Sequence, residues 1–274
     1  MYQLRSVSKI FGDGLRALDG VSLTVGRGEH VAFVGPSGAG KTTLFRLLNL
    51  TLRPTEGAVL LDGVDVAALD GAGLQRARRR IGTVYQQHNL VGRLRVVHNV
   101  LAGNLGRWSL ATALASLVRP RDAAHAGGAL EQVGIPEKLW ARTDELSGGQ
   151  QQRVAIARVL VQDPDVILAD EPVSSVDPSL AVTIVTLLRA LSHGSRKTLL
   201  MNLHSVELAL GHFPRIVGVR EGRIVFDLAP DKVTAELLAE LYAGNRDDER
   251  QLEGMRHAIG PYGGACRPLP GFTE

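Results

Sequence analysis

The sequence predicts an α/β fold: a largely parallel sheet covered by helices on both faces and interrupted by a helical insertion. Three observations carry that expectation. Strand-like and helix-like segments alternate along most of the chain. A glycine-rich loop lies between an apolar strand and a helix. From about residue 88 to 144 the pattern turns mostly helical before strands resume.

Taken in order, Val21, Leu23 and Val25, then Val31 and Phe33, form β-rich sequence leading into the loop. The segment from Lys41 to Leu50 reads as a helix, with Leu44, Leu47 and Leu48 on one face. Strand signals around Gly57 to Leu61 meet the turn pair Asp62-Gly63, and a strand from Ile81 to Tyr85 closes the first part. In the insertion, Asn99 to Leu117 and Ala123 to Val133 read as helices, broken by Pro120 and Pro136. The core resumes with a helix after Ser147, a strand at Val166 to Ala169, a helix after Pro178 and a strand at Thr198 to Leu203. A hairpin centred on Glu221-Gly222 and a helix from about Asp231 to Tyr242 follow. Residues 1–245 are thus expected to form one folded domain, with its core at about 1–87 and 145–245. Residues 246–274, charged and then rich in Gly and Pro, are expected to be a loosely ordered tail.

Composition narrows the class without fixing the function. The chain has 274 residues, 45% hydrophobic and 22% charged, as expected of a globular protein with a substantial core. No charged-then-apolar leader opens it, and the apolar run Trp108 to Val118 is too short to span a bilayer. A cytoplasmic protein is expected, one that can still dock on a membrane partner. The single cysteine, Cys266, excludes an internal disulfide framework and a cysteine-based metal site. Net charge is +3, and the densest basic run, Arg76, Arg78, Arg79 and Arg80, lacks interleaved aromatics. It therefore reads as a solvated helix face rather than a nucleic-acid patch.

The chemistry lies in six short motifs. Gly35-Pro36-Ser37-Gly38-Ala39-Gly40-Lys41-Thr42-Thr43 follows a strand and opens a helix, the context that makes it a phosphate-binding loop. Backbone N–H groups can surround phosphate oxygens only where side chains do not intrude. Lys41 would reach the β- and γ-phosphates, Thr42 would ligate Mg²⁺, and the helix points its positive end at the anion. Asp170 ends a hydrophobic strand, a costly place for a carboxylate unless a cation compensates, which suits the Mg²⁺ side. Glu171 follows on the other side of the strand end and suits a base for the attacking water.

Leu146-Ser147-Gly148-Gly149-Gln150, followed by Gln151-Gln152-Arg153, resembles the signature of ABC-type ATPases, and the resemblance covers roughly residues 2 to 243. It implies a P-loop NTPase (RecA-like) core with an antiparallel β subdomain and an inserted helical subdomain. It also implies ATP and Mg²⁺ as cofactors and a homodimer in which Ser147 and Gly149 of one copy meet the γ-phosphate held by the other. Gln86 resembles the glutamine that senses Mg²⁺ and the membrane partner, and His204 resembles the switch histidine. Phe11 resembles the aromatic that stacks on adenine, with phenylalanine in place of the usual tyrosine. Ser174-Ser175-Val176-Asp177 resembles the loop linking the two sites, where Ala-Leu often occupies the middle.

One nucleotide-binding unit without a membrane span resembles a separately encoded importer subunit. The stretches Asn99 to Ser109, Ala169 to Val173 and Arg215 to Asp227 resemble phosphonate-importer ATPases. That resemblance implies an integral-membrane permease, a periplasmic or lipid-anchored solute-binding protein and a peripheral place on the cytoplasmic membrane face. Importers of phosphite, phosphate, methionine or polar amino acids are the near alternatives. A soluble ABC ATPase acting on nucleic acid or ribosomes would call for a coiled coil, zinc module or second cassette, and none is visible. A regulatory protein that binds ATP without cleaving it would lack Glu171 or His204, and both are present.

Overall fold

In the computed structural model, the described residues are 1–87, 89–174 and 176–243. The predicted tail from 246 onward, with Cys266, lies outside them, as does Ser175 of the linking loop. The chain divides into two compact units, Met1–Ala68 with Leu200 onward, and Leu69–Leu199.

The first unit opens with β1 (Tyr2–Ile10) and β2 (Arg16–Val25), paired antiparallel with Leu4 opposite Leu23 and Val7 opposite Val21. Their inward residues Leu4, Val7, Leu18, Val21 and Val25 are buried. β3 (His30–Val34) is buried at all five positions, as a strand covered on both faces must be. α1 (Lys41–Leu48) buries Leu44, Phe45, Leu47 and Leu48, and Phe45 meets Phe33 edge-to-face at 5.4 Å. The helix is two residues shorter than the sequence suggests. Leu50, at φ 61, ends it in the left-handed region.

β4 (Glu56–Leu61) and β5 (Val64–Asp65) are joined by Asp62-Gly63. Both turn residues have positive φ, 51 and 80, as a two-residue hairpin turn of primed type requires. The four strands order as β2-β1-β4-β5, the predicted antiparallel subdomain.

The second unit begins with α2 (Gly71–Arg79), whose first turn is closed by Asp70 accepting from Gly73 N at 2.6 Å. β6 (Ile81–Tyr85) follows. The predicted helix Asn99 to Leu117 is instead α3 (Val96–Leu101), a 3-10 stretch Ala102–Gly106, and α4 (Leu110–Val118). The break has a tertiary cause: a Cβ on Gly103 would lie 2.3 Å from Arg158 O, so the chain passes against another backbone there. Ser109 then caps a new helix by accepting from Thr112 N.

α5 (Ala123–Gln132) and α6 (Gly148–Gln162) pack on α3. β7 (Val166–Asp170) runs parallel to β6, with Ile81 opposite Val166 and Tyr85 opposite Asp170. α7 (Pro178–Gly194) leads to β8 (Thr198–Asn202).

The chain returns to the first unit with α8 (Val206–His212), the hairpin β9 (Arg215–Arg220) and β10 (Arg223–Leu228), and α9 (Ala235–Tyr242). β9 pairs parallel with β3, Val34 opposite Gly218, and the strand order is β10-β9-β3-β8. The sequence places the last helix from Asp231. A 3-10 turn at Pro230–Lys232 and the Thr234 cap delay it to Ala235. Among the described residues, no helix is long and apolar enough to cross a membrane.

Candidate functional site

In open α/β sheets, ligands bind beyond the carboxyl ends of the strands, and each unit presents functional residues there. In the first unit the loop 35–40 leaves the end of β3. His204 follows β8, whose exit is fixed by Leu203 N donating to Phe33 O at 3.0 Å. The loop's shape rests on glycine at two positions. Gly35 has φ +147, and a Cβ there would lie 2.0 Å from the backbone oxygen of Val219. Gly40 has φ +100, and its Cβ would lie 2.4 Å from Ala17 O.

Ala39 is buried, while Ser37, Gly38 and Thr42 are exposed and Pro36 and Thr43 are half-buried. Lys41 is only 4% exposed, and its Nζ donates to Gly35 O at 2.6 Å and to Pro36 O at 2.9 Å. The ammonium is thus held against the backbone of the loop by two carbonyl oxygens. Gly40 caps α1 without any side-chain bond, so the helix N-terminus is left to backbone and ligand. Phe11 is half-buried in the turn after β1, with Lys9 Nζ 5.5 Å from its ring centre. Its π-face already attracts a cation.

In the second unit, β6 and β7 end in register, so Gln86 and Glu171 leave neighbouring strand ends one residue beyond the Tyr85–Asp170 pair. Gln86 is exposed in a bend; Asp170 and Glu171 are half-buried. Glu171 adopts φ 51, a left-handed conformation that costs a non-glycine residue about 1 kcal/mol or more. Ser174 Oγ donates to Glu171 O at 3.2 Å, which helps hold that backbone. Asp177 caps α7, accepting from Leu180 N at 3.0 Å and from Ser179 Oγ at 2.6 Å. The Ser179 hydroxyl, then the Leu180 amide, hold its carboxyl below the usual range.

The turn Ser147 to Gln150 opens α6 with a complete capping box. Ser147 Oγ accepts from Gln150 N at 3.4 Å, and Gln150 Oε1 accepts from Ser147 N at 3.1 Å. Ser147 and Gly148 are exposed. A Cβ on Gly149 would lie 2.6 Å from Leu180 Cδ2, so this turn packs directly on the first turn of α7. Gln151 Nε2 donates to Thr143 O and Leu146 O, and Arg153 Nη1 to Val133 O, which tie the turn to the insertion.

Asn99 has a structural role that motif reading did not reveal. It is buried. Its Oδ1 accepts from Val91 N at 2.8 Å, and its Nδ2 donates to Val91 O at 3.0 Å and to Thr143 Oγ1 at 2.9 Å. One amide therefore joins the segment after Gln86 to the segment before the signature turn. A polar residue inside the apolar run Val96–Leu101 was the available signal.

With this geometry in place, comparison with known proteins decides the family. A profile of the ABC transporter family matches residues 18–174. The chain belongs to the ABC transporter family. It is 50% identical over 243 residues to the phosphonates import ATP-binding protein PhnC 2 of Pseudomonas aeruginosa, covering 89% of this chain and 91% of that one. It is 44% identical over 273 residues to the phosphonates import ATP-binding protein PhnC 1 of Cupriavidus necator, covering 100% and 97%. Among solved structures, it is similar to the dimeric post-hydrolysis ATP-binding cassette MJ0796 bound to ADP and Pi. That match has TM-score 0.72 and 31% identity, with 84% of this chain and 99% of that one covered. The structure of cbiO1 of Clostridium perfringens, part of the ABC transporter complex cbiONQ, gives TM-score 0.74 at 27% identity, covering 94% and 98%. The P-loop NTPase core, antiparallel subdomain and helical insertion expected from the sequence are those of an ABC ATPase cassette.

Proposed function

We propose that this chain is the ATP-hydrolysing subunit of an importer for phosphonate or a related phosphorus oxyanion. The observation that carries the reading is the pinned Lys41 ammonium in a glycine-shaped loop, on a chain 50% identical to a phosphonate import ATP-binding protein over nearly its whole length. The backbone of 35–40 with Lys41, Thr42 and Thr43 holds the triphosphate, and Phe11 stacks on the adenine. Glu171 orients and deprotonates the attacking water, and His204 senses the γ-phosphate.

Thr42, Gln86 and Asp170 would hold Mg²⁺. They offer a hydroxyl, an amide oxygen and one carboxylate, a hard-oxygen set of the kind that leaves a magnesium ion several of its waters. Among the described residues, no cluster of three or more His, Cys, Asp or Glu is built to hold a metal by itself. When bound there, the ion would supply charge neutralisation for the phosphates.

Two copies sandwich two nucleotides, Ser147, Gly148, Gly149 and Gln150 of one copy closing over the other's triphosphate, with Asp177 near the link. Because ATP favours the closed dimer, its binding and loss shift a conformational equilibrium. Permease subunits docked on the membrane-facing side convert that shift into transport, and a periplasmic or lipid-anchored binding protein delivers the solute. The subunit works at the cytoplasmic face, peripheral to the membrane, and nucleic acid has no part.

The assembled transporter in proteoliposomes tests the assignment. Its ATPase should rise severalfold when binding protein loaded with a phosphonate is added. Stimulation by methionine or amino-acid binding proteins instead would move the chain to another importer class.

A further inference from the structure

α4 packs the wrong way round for a helix of a water-soluble surface. At 100° per residue, Leu110, Leu114, Leu117 and Val118 fall on one stripe. That stripe faces out: the four side chains are 77%, 57%, 53% and 90% exposed. The residue turned inward is Ser116, at 9%. The helix therefore packs through a small polar residue and presents its leucines to the surroundings, an arrangement that marks a contact surface. With nine residues, α4 is too short to cross a bilayer.

The sequence to either side of α4 says what kind of partner fits, although Arg80 in it is paired with Asp165. Residues 71–130 contain nine arginines and no lysine, against a single carboxylate, Asp122. This stretch carries +8 in a chain whose total is +3, so the remainder is net negative. Arg119 and Arg121 follow the leucine stripe directly and are exposed; Arg107, by contrast, is occupied with Gln162 O and Asp163 O at the end of α6. Trp108 stands just ahead of the Ser109 cap, half-buried. An apolar stripe bounded by an indole on one side and cations on the other has the composition of a helix lying in a membrane interface. A protein groove would satisfy the leucines but gives no reason for the exposed Arg119 and Arg121 at the end of the stripe.

We propose that α4 lies on an anionic lipid surface, with Leu110, Leu114, Leu117 and Val118 entering the headgroup boundary and Arg119 and Arg121 meeting lipid phosphates. This contact is additional to any permease and independent of which solute is carried. It would orient the helical insertion against the bilayer.

Sedimentation of the full chain with vesicles tests it, comparing pure phosphatidylcholine with equal parts phosphatidylcholine and phosphatidylglycerol. Binding is expected to the anionic vesicles and to weaken with salt. The double variant Leu114→Asp/Leu117→Asp should lower partitioning at least tenfold, and Arg119→Glu/Arg121→Glu by about fivefold or more. Both should keep wild-type nucleotide binding and far-ultraviolet circular dichroism, since all four side chains are exposed. Failure to bind, equal binding to neutral and anionic vesicles, or wild-type binding by the leucine variant would each overturn the proposal. So would loss of permease co-purification by that variant with no change in vesicle binding, which would assign the stripe to a protein partner.

Discussion

The glycine loop and the signature turn both place backbone amides at the start of a helix, but they are finished differently. α1 opens with Gly40 and no side-chain cap, and the neighbouring ammonium of Lys41 is buried against the loop's own carbonyls. α6 opens with Ser147 and Gln150 satisfying each other, on an exposed turn backed by a leucine side chain. The first helix end has no side-chain cap, whereas the second closes two of its amides, those of Ser147 and Gln150, with its own side chains. The difference separates two tasks. Under the proposed function, phosphate affinity would belong to the loop of a single copy, and the signature turn would add contacts when another copy brings a phosphate to it.

Two substitutions break the comparison most severely. Lys41→Ala should abolish most nucleotide affinity, measured with a fluorescent ATP analogue. Glu171→Gln should keep that affinity while lowering phosphate release by about 10² or more. Undiminished turnover would remove Glu171 from its role.

A matched glycine pair sharpens the contrast. Gly35→Ala drives a methyl against the fixed backbone oxygen of Val219 at positive φ, so stability should fall by about 2 kcal/mol or more in urea melts. Gly149→Ala meets only the end of the Leu180 side chain, which can rotate away, so its cost should stay below about 1 kcal/mol. ATPase should nevertheless fall by an order of magnitude or more in Gly149→Ala, because the dimer face is altered. Equal stability losses would erase the distinction drawn here.

The smallest effect is one of pH. Asp177 titrates below the usual carboxylate range because Ser179 and Leu180 bond its charged form. A depressed folded value means the cap stabilises α7 above the unfolded pKa and is lost as pH falls through the folded one. Amide exchange at Leu180 should therefore accelerate, relative to its intrinsic rate, below about pH 4. Asp177→Asn should remove that dependence.

The motifs were legible because each is a run of residue types whose spacing follows from chemistry: glycines for approach, lysine and hydroxyl one step later, carboxylates at a strand end. The Asp62-Gly63 turn was legible for the same local reason. What could not be read depends on distant backbone. Nothing in the run Asn99 to Leu117 announces that Gly103 touches the Arg158 carbonyl, yet that contact splits one expected helix into α3 and α4. The strained φ of Glu171, the approach of Gly35 to Val219 and the amide bridge of Asn99 are likewise tertiary facts.

The central claim is that each copy completes its neighbour's nucleotide site, and cysteine cross-linking measures it directly. In a Cys266→Ser, Glu171→Gln background, Ser37→Cys and Ser147→Cys proteins are mixed and oxidised with and without ATP-Mg²⁺. The account expects a disulfide-linked dimer of the two different variants that forms with ATP and not without it. Absence of that dimer under ATP, with nucleotide binding intact, would contradict the account.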